Sequence, residues 1–308
     1  MRDLVVSAFL AHAEHGRGQL GPRQILDTLY LAKMDLPEGS RIRDTLPYYW
    51  YLDGPASDLV CAELERMVAD GIVRRVPGAG HAVYCLAGSA RPALGGDAGV
   101  LADLVAGHAG RFASADKMAR GVYARHAPHA FYAAYKLGFM PPLERYCGEF
   151  LHCGGPADVS RDRVLDALAD AILEIPAGKE FMRFNFAMSS YSRSLRVLLQ
   201  SDEPYDDHVD ADLESARALC GMLWTAFAYH ACIQSHDPYY RDHVPGWTAR
   251  LDRYMVRLEK EMGAFEKSVD RIPVLETLGE ETLDVMRRYE AGEYSSAKSY
   301  RASDYLKI

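Results

Sequence analysis

Residues 57–86 read SDLVCAELERMVADGIVRRVPGAGHAVYCL. Ser57 is of the type that accepts a backbone amide at the start of a helix, and Val60, Leu64, Met67 and Val68 recur at the spacing that lines one helical face. Gly71 stands where a left-handed residue closes such a helix. Beyond it, 72–76 and 81–86 are β-prone runs around Pro77-Gly78-Ala79-Gly80, the composition of a hairpin. The stretch predicts a well-delimited helix that leads directly into a two-stranded ribbon.

Working back toward the N-terminus, Leu4, Val5, Ala8, Phe9 and His12 share one face of a first helix over 4–14. Gly21-Pro22 signals the start of a second, in which Ile25, Leu26, Leu29, Tyr30 and Lys33 recur with a period near 3.6. Residues 37–44 read as irregular, and the aromatic run in PYYWYLDGPAS (47–57) as a short strand or packed extended segment ending at Gly54-Pro55. Helices followed by a hairpin that leaves the last helix through glycine is the order of a winged helix-turn-helix, which we expect over 1–87.

Residues 88–99 are Gly-rich, small and broken by Pro92, as in an exposed linker. From 100 to 290 period-two alternation is absent and helical stripes recur, among them Leu165/Leu168/Ile172, Phe181/Phe184/Met188 and Leu219/Leu223/Phe227. Caps are readable at Ser114 and Ser160, and Pro141-Pro142 reads as the opening of a helix to 151. Long helices are expected over 210–235 and 247–272, the second with charged outer positions Arg250, Asp252, Arg257, Glu259 and Lys260. The tail, 291–308, is polar. The fold class expected is mainly α: an N-terminal winged helix-turn-helix, then an all-α helical domain suited to assembly or self-association.

At 308 residues, 49% hydrophobic and 25% charged, the chain has the composition of a folded globular protein. Six cysteines spread thinly over that length argue against a disulfide framework. No run of 18 apolar residues and no secretory leader pattern is present, so a cytoplasmic location without membrane contact is expected. The formal net charge of −8 counts against a general nucleic-acid coat but leaves room for a local basic patch.

The stretches ILDTLYLAKMD (25–35) and YYWYLDGPASDLVCAELERMVADGIV (48–73) resemble the Panacea (SocA-like antitoxin) group and related prokaryotic winged-helix proteins. The likeness is carried by Leu26, Leu29, Tyr30, Leu31 and Ala32, then Gly54-Pro55, then a helix ending in Gly71-Ile72. The resemblance implies a protein that pairs with a toxin or other partner near mobile-element and defence genes. The long helical region departs from that group, whose members are shorter.

In a DNA-reading winged helix the outer face of the last helix enters the major groove and carries Arg, Lys, Asn or Gln. Here Asp58, Glu63, Glu65 and Asp70 face a single Arg66, and residues 1–86 hold nine Lys+Arg against eleven Asp+Glu, a net of −2. Asp58, Glu65, Arg66 and Asp70 are therefore candidates for binding a protein partner. The candidates for a DNA grip are Arg74, Arg75 and His81 of the ribbon and Arg41 and Arg43 of the preceding loop. The alternative for Arg74 and Arg75 is that they merely keep the hairpin soluble.

Soft ligands at His126, His129, Cys147, His152 and Cys153 match no zinc spacing, and Pro128 interrupts the histidine pair. Acid and imidazole groups recur at Asp206-Asp207-His208, His236-Asp237 and Asp242-His243, but Pro238-Tyr239-Tyr240 suggests a solvated loop. No phosphate loop or nucleophile elbow appears. The leading expectation is a non-enzymatic regulator or subunit of a prokaryotic defence or toxin–antitoxin system, with no cofactor and a protein partner, with or without DNA. The runner-up is a sequence-specific transcription factor whose helical domain dimerises or senses a ligand, and an enzyme comes third.

Overall fold

A computed structural model describes residues 1–77, 82–88, 97–112, 114–153, 159–200 and 207–270, with the side chains at 97, 98, 152, 153, 207 and 208 left aside. The architecture is mainly helical, with two small antiparallel sheets among the described residues. The chain separates into two compact units: Met1–Ala133 with Trp224–Tyr254, and Ala134–Leu223 with the described residues from Met255 onward.

In the first unit, helix α1 (Arg2–Glu14) buries Leu4, Val5, Ala8 and Phe9, and α2 (Pro22–Met34) buries Ile25, Leu26 and Leu29. Pro22 occupies the first turn, where its missing amide costs nothing. The region expected to be irregular contains a one-turn helix, α3 (Arg41–Asp44). The aromatic run forms a hairpin of its own: β1 (Tyr49–Tyr51) pairs with β2 (Gly54–Ala56), so Gly54-Pro55 belongs to a second strand and does not end the segment. Gly54 makes the turn possible because its φ of 105° lies in the left-handed range that a Cβ disfavours.

Helix α4 (Asp58–Ala69) follows the sequence reading closely. The Ser57 hydroxyl accepts the Val60 amide at 3.4 Å, Val60, Leu64 and Met67 are buried, and Gly71 has φ 71° just past the end. β3 (Val73–Pro77) then pairs with β4 (Ala82–Leu86), from Val73 opposite Leu86 to Pro77 opposite Ala82. Leu20, in the α1–α2 connection, exchanges both backbone hydrogen bonds with Tyr84 at 2.9 and 2.8 Å. Those bonds tie the ribbon back to the first two helices.

Of the expected linker, 89–96 lie outside the described residues, and α5 (Asp97–Arg111) already begins inside its last positions. α5 packs on α1 and α2, and α6 (Ala115–His126), capped by Ser114, packs on α2. The Arg17 guanidinium donates to the carbonyls of Ala109 and Phe112, closing the end of α5. A late stretch completes this unit. The end of α11 (Asp207–Gln234), a 3₁₀ turn at Pro238–His243 and the start of α12 (Val244–Val269) return to the β1–β2 hairpin, where Trp50 donates its amide to Ser235 at 3.0 Å and Asp237 donates to Tyr48 at 2.8 Å.

The second unit is helical throughout its described residues. Pro141-Pro142 lie in the first turn of α8 (Met140–Cys153), as expected, but α8 continues directly from the short α7 (Phe131–Ala133) through a wide π turn, Ala134–Phe139. Two successive residues without N–H leave preceding carbonyls unserved, and a widened turn is the form in which a helix absorbs that loss. Helices α9 (Arg161–Leu173), capped by Ser160, and α10 (Met182–Gln200) complete it. Its core holds Tyr135, Phe139, Tyr191 and Phe265, with the Tyr135 and Tyr191 hydroxyls satisfied by the carbonyls of Cys220 and Ala216 at 3.1 and 2.9 Å. The expected tail, 291–308, lies outside the described residues.

Candidate partner-binding surface

Helix α4 buries the face made by Val60, Leu64 and Met67, which leaves Asp58, Cys61, Ala62, Glu65, Arg66, Ala69 and Asp70 exposed on the other. Down the middle of that outer face run small side chains, Cys61, Ala62 and Ala69, over which a partner's backbone or side chains can approach closely. Acids flank them. Asp58 Oδ1 accepts the Tyr49 hydroxyl at 2.9 Å, and Glu65 Oε1 accepts the Tyr84 hydroxyl at 3.1 Å. Burial raises the Tyr49 phenol above its ordinary range, and the Asp58 carboxylate adds to the shift, so the phenol stays a donor. The Asp58 amide in turn donates to the Tyr240 oxygen at 2.9 Å. The hairpin and the returning segment thus both hold Asp58, and the ribbon holds Glu65.

Glu63 is the face's hidden member. Only 5% exposed, it receives Arg2 at 3.1 Å and Arg66 at 3.0 Å, and Arg2 reaches on to Asp70 at 2.6 Å. Arg66, the single cation of the row, is thus engaged by Glu63 in the same helix, and Asp58 and Glu65 are left without a cationic partner among the described residues. Neither Arg2 nor the Tyr49 and Tyr84 hydroxyls was indicated by the sequence. Glu63, read with the exposed acids, is instead buried, because it stands one turn from both Val60 and Met67, and a carboxylate there must find cations.

The basic candidates are dispersed. Arg74 and Arg75 are exposed on β3, opposite Cys85 and Tyr84. Arg41 is exposed at the start of α3, whereas Arg43 is half-buried and donates to the Leu36 carbonyl at 3.1 Å. His81 lies outside the described residues.

The other titratable groups range from the buried Lys33 and Cys147 through the half-buried His126, His129, His236 and Asp237 to the exposed His243. Asp237 accepts Lys33 Nζ and, at 2.6 Å, the Tyr48 amide; Lys33 also donates to Leu46 O at 2.7 Å. Burial lowers the Lys33 pKa, and Asp237 opposes that. His236 Nδ1 donates to Cys232 O, 3.2 Å away, and its ring and that of His243 flank Trp247 at 5.9 and 5.7 Å. Of the soft-ligand candidates, His126 packs edge-on against Tyr30, His129 bonds Gln234 at 2.9 Å, and the buried Cys147 thiol is raised to about 12 by burial. His152, Cys153, Asp206 and the Asp207 and His208 side chains lie outside the described residues. Among the described residues no three His, Cys, Asp or Glu side chains converge as a metal site would need. No described helix is long and apolar enough to cross a membrane.

Comparison with protein-family models, with curated proteins and with solved structures finds no match to this chain.

Proposed function

We propose that the first unit is a winged-helix binding module whose α4 face docks a basic surface of a protein partner, and that the chain serves as a regulator or subunit of a prokaryotic defence or toxin–antitoxin assembly. The order α1, α2, α4, ribbon, with Leu20 bridging to Tyr84, supports the winged-helix reading. The observation that carries the docking is the outer face of α4: Asp58 and Glu65 flank small residues where a DNA-reading helix would need donors, and phosphates would be repelled from it. The assignment to defence follows from the Panacea resemblance of residues 25–73. Co-expression with the products of neighbouring genes, followed by size-exclusion chromatography, tests the reading. The double change Asp58→Lys/Glu65→Lys should break the complex, whereas Tyr49→Phe/Tyr84→Phe, which removes the same two hydrogen bonds but keeps the carboxylates, should cost stability and leave the complex intact; a complex that survives the Lys pair removes the α4 face from the interface.

The exposed pair Arg74 and Arg75 on β3 favours a second reading, sequence-specific DNA binding through the ribbon. In that case Arg74→Glu/Arg75→Glu should abolish discrimination between an operator and random duplex.

A further inference from the structure

Helix α12 spans 26 residues and is amphipathic in an unusual way. Its inner face, Trp247, Leu251, Met255, Leu258, Met262, Phe265 and Val269, is buried. Its charged positions sort into two rows by sign. Asp252, Glu259 and Glu266 form an acidic row at seven-residue spacing, and in the second unit this row is met by α10: Arg183 reaches Glu259 at 2.9 Å and Arg193 reaches Glu266 at 3.0 Å. Arg253, Lys260 and Lys267 form a basic row at the same spacing, with Arg250 and Arg257 alongside. All five are exposed, and none of them makes a hydrogen bond or ion pair among the described residues.

The arginines of α10 therefore neutralise two of the three carboxylates of the acidic row, and a ridge of positive charge is left on a protein of net charge −8. Glu261, beside Arg257, is the acid at the ridge's edge. Successive cations along the row stand two helical turns apart, about 10 Å.

From this ridge we infer that α12 is a sequence-independent contact for the phosphate backbone of duplex nucleic acid. The ridge carries charge and little else. Its other outward positions are Ala249, Ala264 and the single apolar Val256, so it lacks the aromatic and apolar centre on which protein interfaces rely. The one ring beside it, the half-buried Tyr254, packs on Tyr229, so the ridge offers no free series of ring platforms on which single-stranded bases stack. The apolar face that a membrane-surface helix would insert is occupied by the core. A row of cations held along one helix is what phosphates along a duplex require. The inference is independent of the α4 reading and uses a different surface from the ribbon arginines.

The test is fluorescence anisotropy of a labelled mixed-sequence duplex with the full chain, titrated from about 50 to 200 mM salt. Binding should weaken with a log–log slope of about −4, near −0.9 per phosphate neutralised. Arg253→Gln/Lys260→Gln/Lys267→Gln should cut the slope to about −2, and the corresponding Glu triple should weaken binding more than tenfold, both with unchanged circular-dichroism melts. Arg74→Glu/Arg75→Glu should leave this random-duplex affinity as it was. The inference is overturned if the full chain binds no duplex at low salt, if the Gln triple keeps the parent slope, or if polyglutamate or phosphatidylserine vesicles bind as tightly as the duplex.

Discussion

His12 and Asp27 are both buried in the first unit, and burial moves their pKa values in opposite directions. Thr28 commits its proton to Gln24 O at 2.7 Å, so its oxygen accepts from His12 Nε2 at 2.9 Å and leaves His12 Nδ1 as an unprotonated acceptor without a partner. Burial, aided by Arg17 and His15, holds the His12 pKa down at about 4. The stability that neutral His12 provides is complete above the unfolded value of 6.5 and is lost as pH falls through the interval toward 4. Asp27 is raised to about 6 by burial against the pull of Arg23, so its contribution is complete below 3.8 and is lost as pH rises through 6. Each amounts to about 3 kcal/mol at most. Urea midpoints between pH 6.5 and 4 should therefore respond oppositely to two substitutions. Relative to the parent, Asp27→Asn should lose stability more steeply on acidification, and His12→Gln should lose it less steeply or gain it. Equal slopes in all three proteins would refute the assignment. Gly54 makes the third residue-scale case: a Cβ there would sit 2.5 Å from Arg23 Nη2 on a backbone at φ 105°, so Gly54→Ala should lower the melting temperature by the equivalent of about 1–3 kcal/mol.

Among the elements, α4 was the most legible, because its start, buried stripe and end are each written locally in Ser57, Val60/Leu64/Met67 and Gly71. The β1–β2 hairpin was half-legible. Its aromatic strand showed in composition, but β2 is only three residues long, and the other edge of β1 is bonded through Tyr48 and Trp50 by Asp237 and Ser235 from far along the chain. Pro141-Pro142 marked the start of α8, but the π turn that joins α8 to the preceding helical residues left no such local sign. The end of α5 depends on Arg17, which lies over 90 positions upstream of the carbonyls it serves, too far for any capping pattern to reveal. Arg17→Ala should leave those carbonyls unserved and speed hydrogen exchange in α5 by one to two orders of magnitude, about 1–3 kcal/mol. Arg17→Lys should restore only part of the protection, since one ammonium cannot spread over two carbonyls as the planar guanidinium does. Unchanged exchange in α5 would remove Arg17 from its cap.

Across the whole molecule the first unit is closed by residues more than 200 positions from its start. Lys33 and Asp237, and Trp50 with the Ser235 carbonyl, show how tightly the returning stretch is woven into the β1–β2 hairpin. A fragment ending at Leu223 keeps Trp50 as its single tryptophan of the three in the chain and removes Ser235, Asp237 and the Trp224 ring. Trp50 is 5% exposed, packed among Tyr30, Tyr123 and Tyr132. Its emission should shift red in the fragment, and an unshifted, buried spectrum would show that residues 224–254 are dispensable to the hairpin. The sequence by itself determined the local features: the helical periods, the caps of α4, the ribbon and the acidic sign of the α4 face, all of which depend on residues within a turn or two of one another. It also placed His12 and Lys33 on buried faces. Only the tertiary structure decided that Asp237 meets Lys33, that Arg2 reaches Glu63, and that Arg183 and Arg193 of α10 take up Glu259 and Glu266 of α12 while its basic row stays open. Those pairings join residues far apart in the chain, and periodicity carries no information about which distant charge will satisfy a buried or half-buried one.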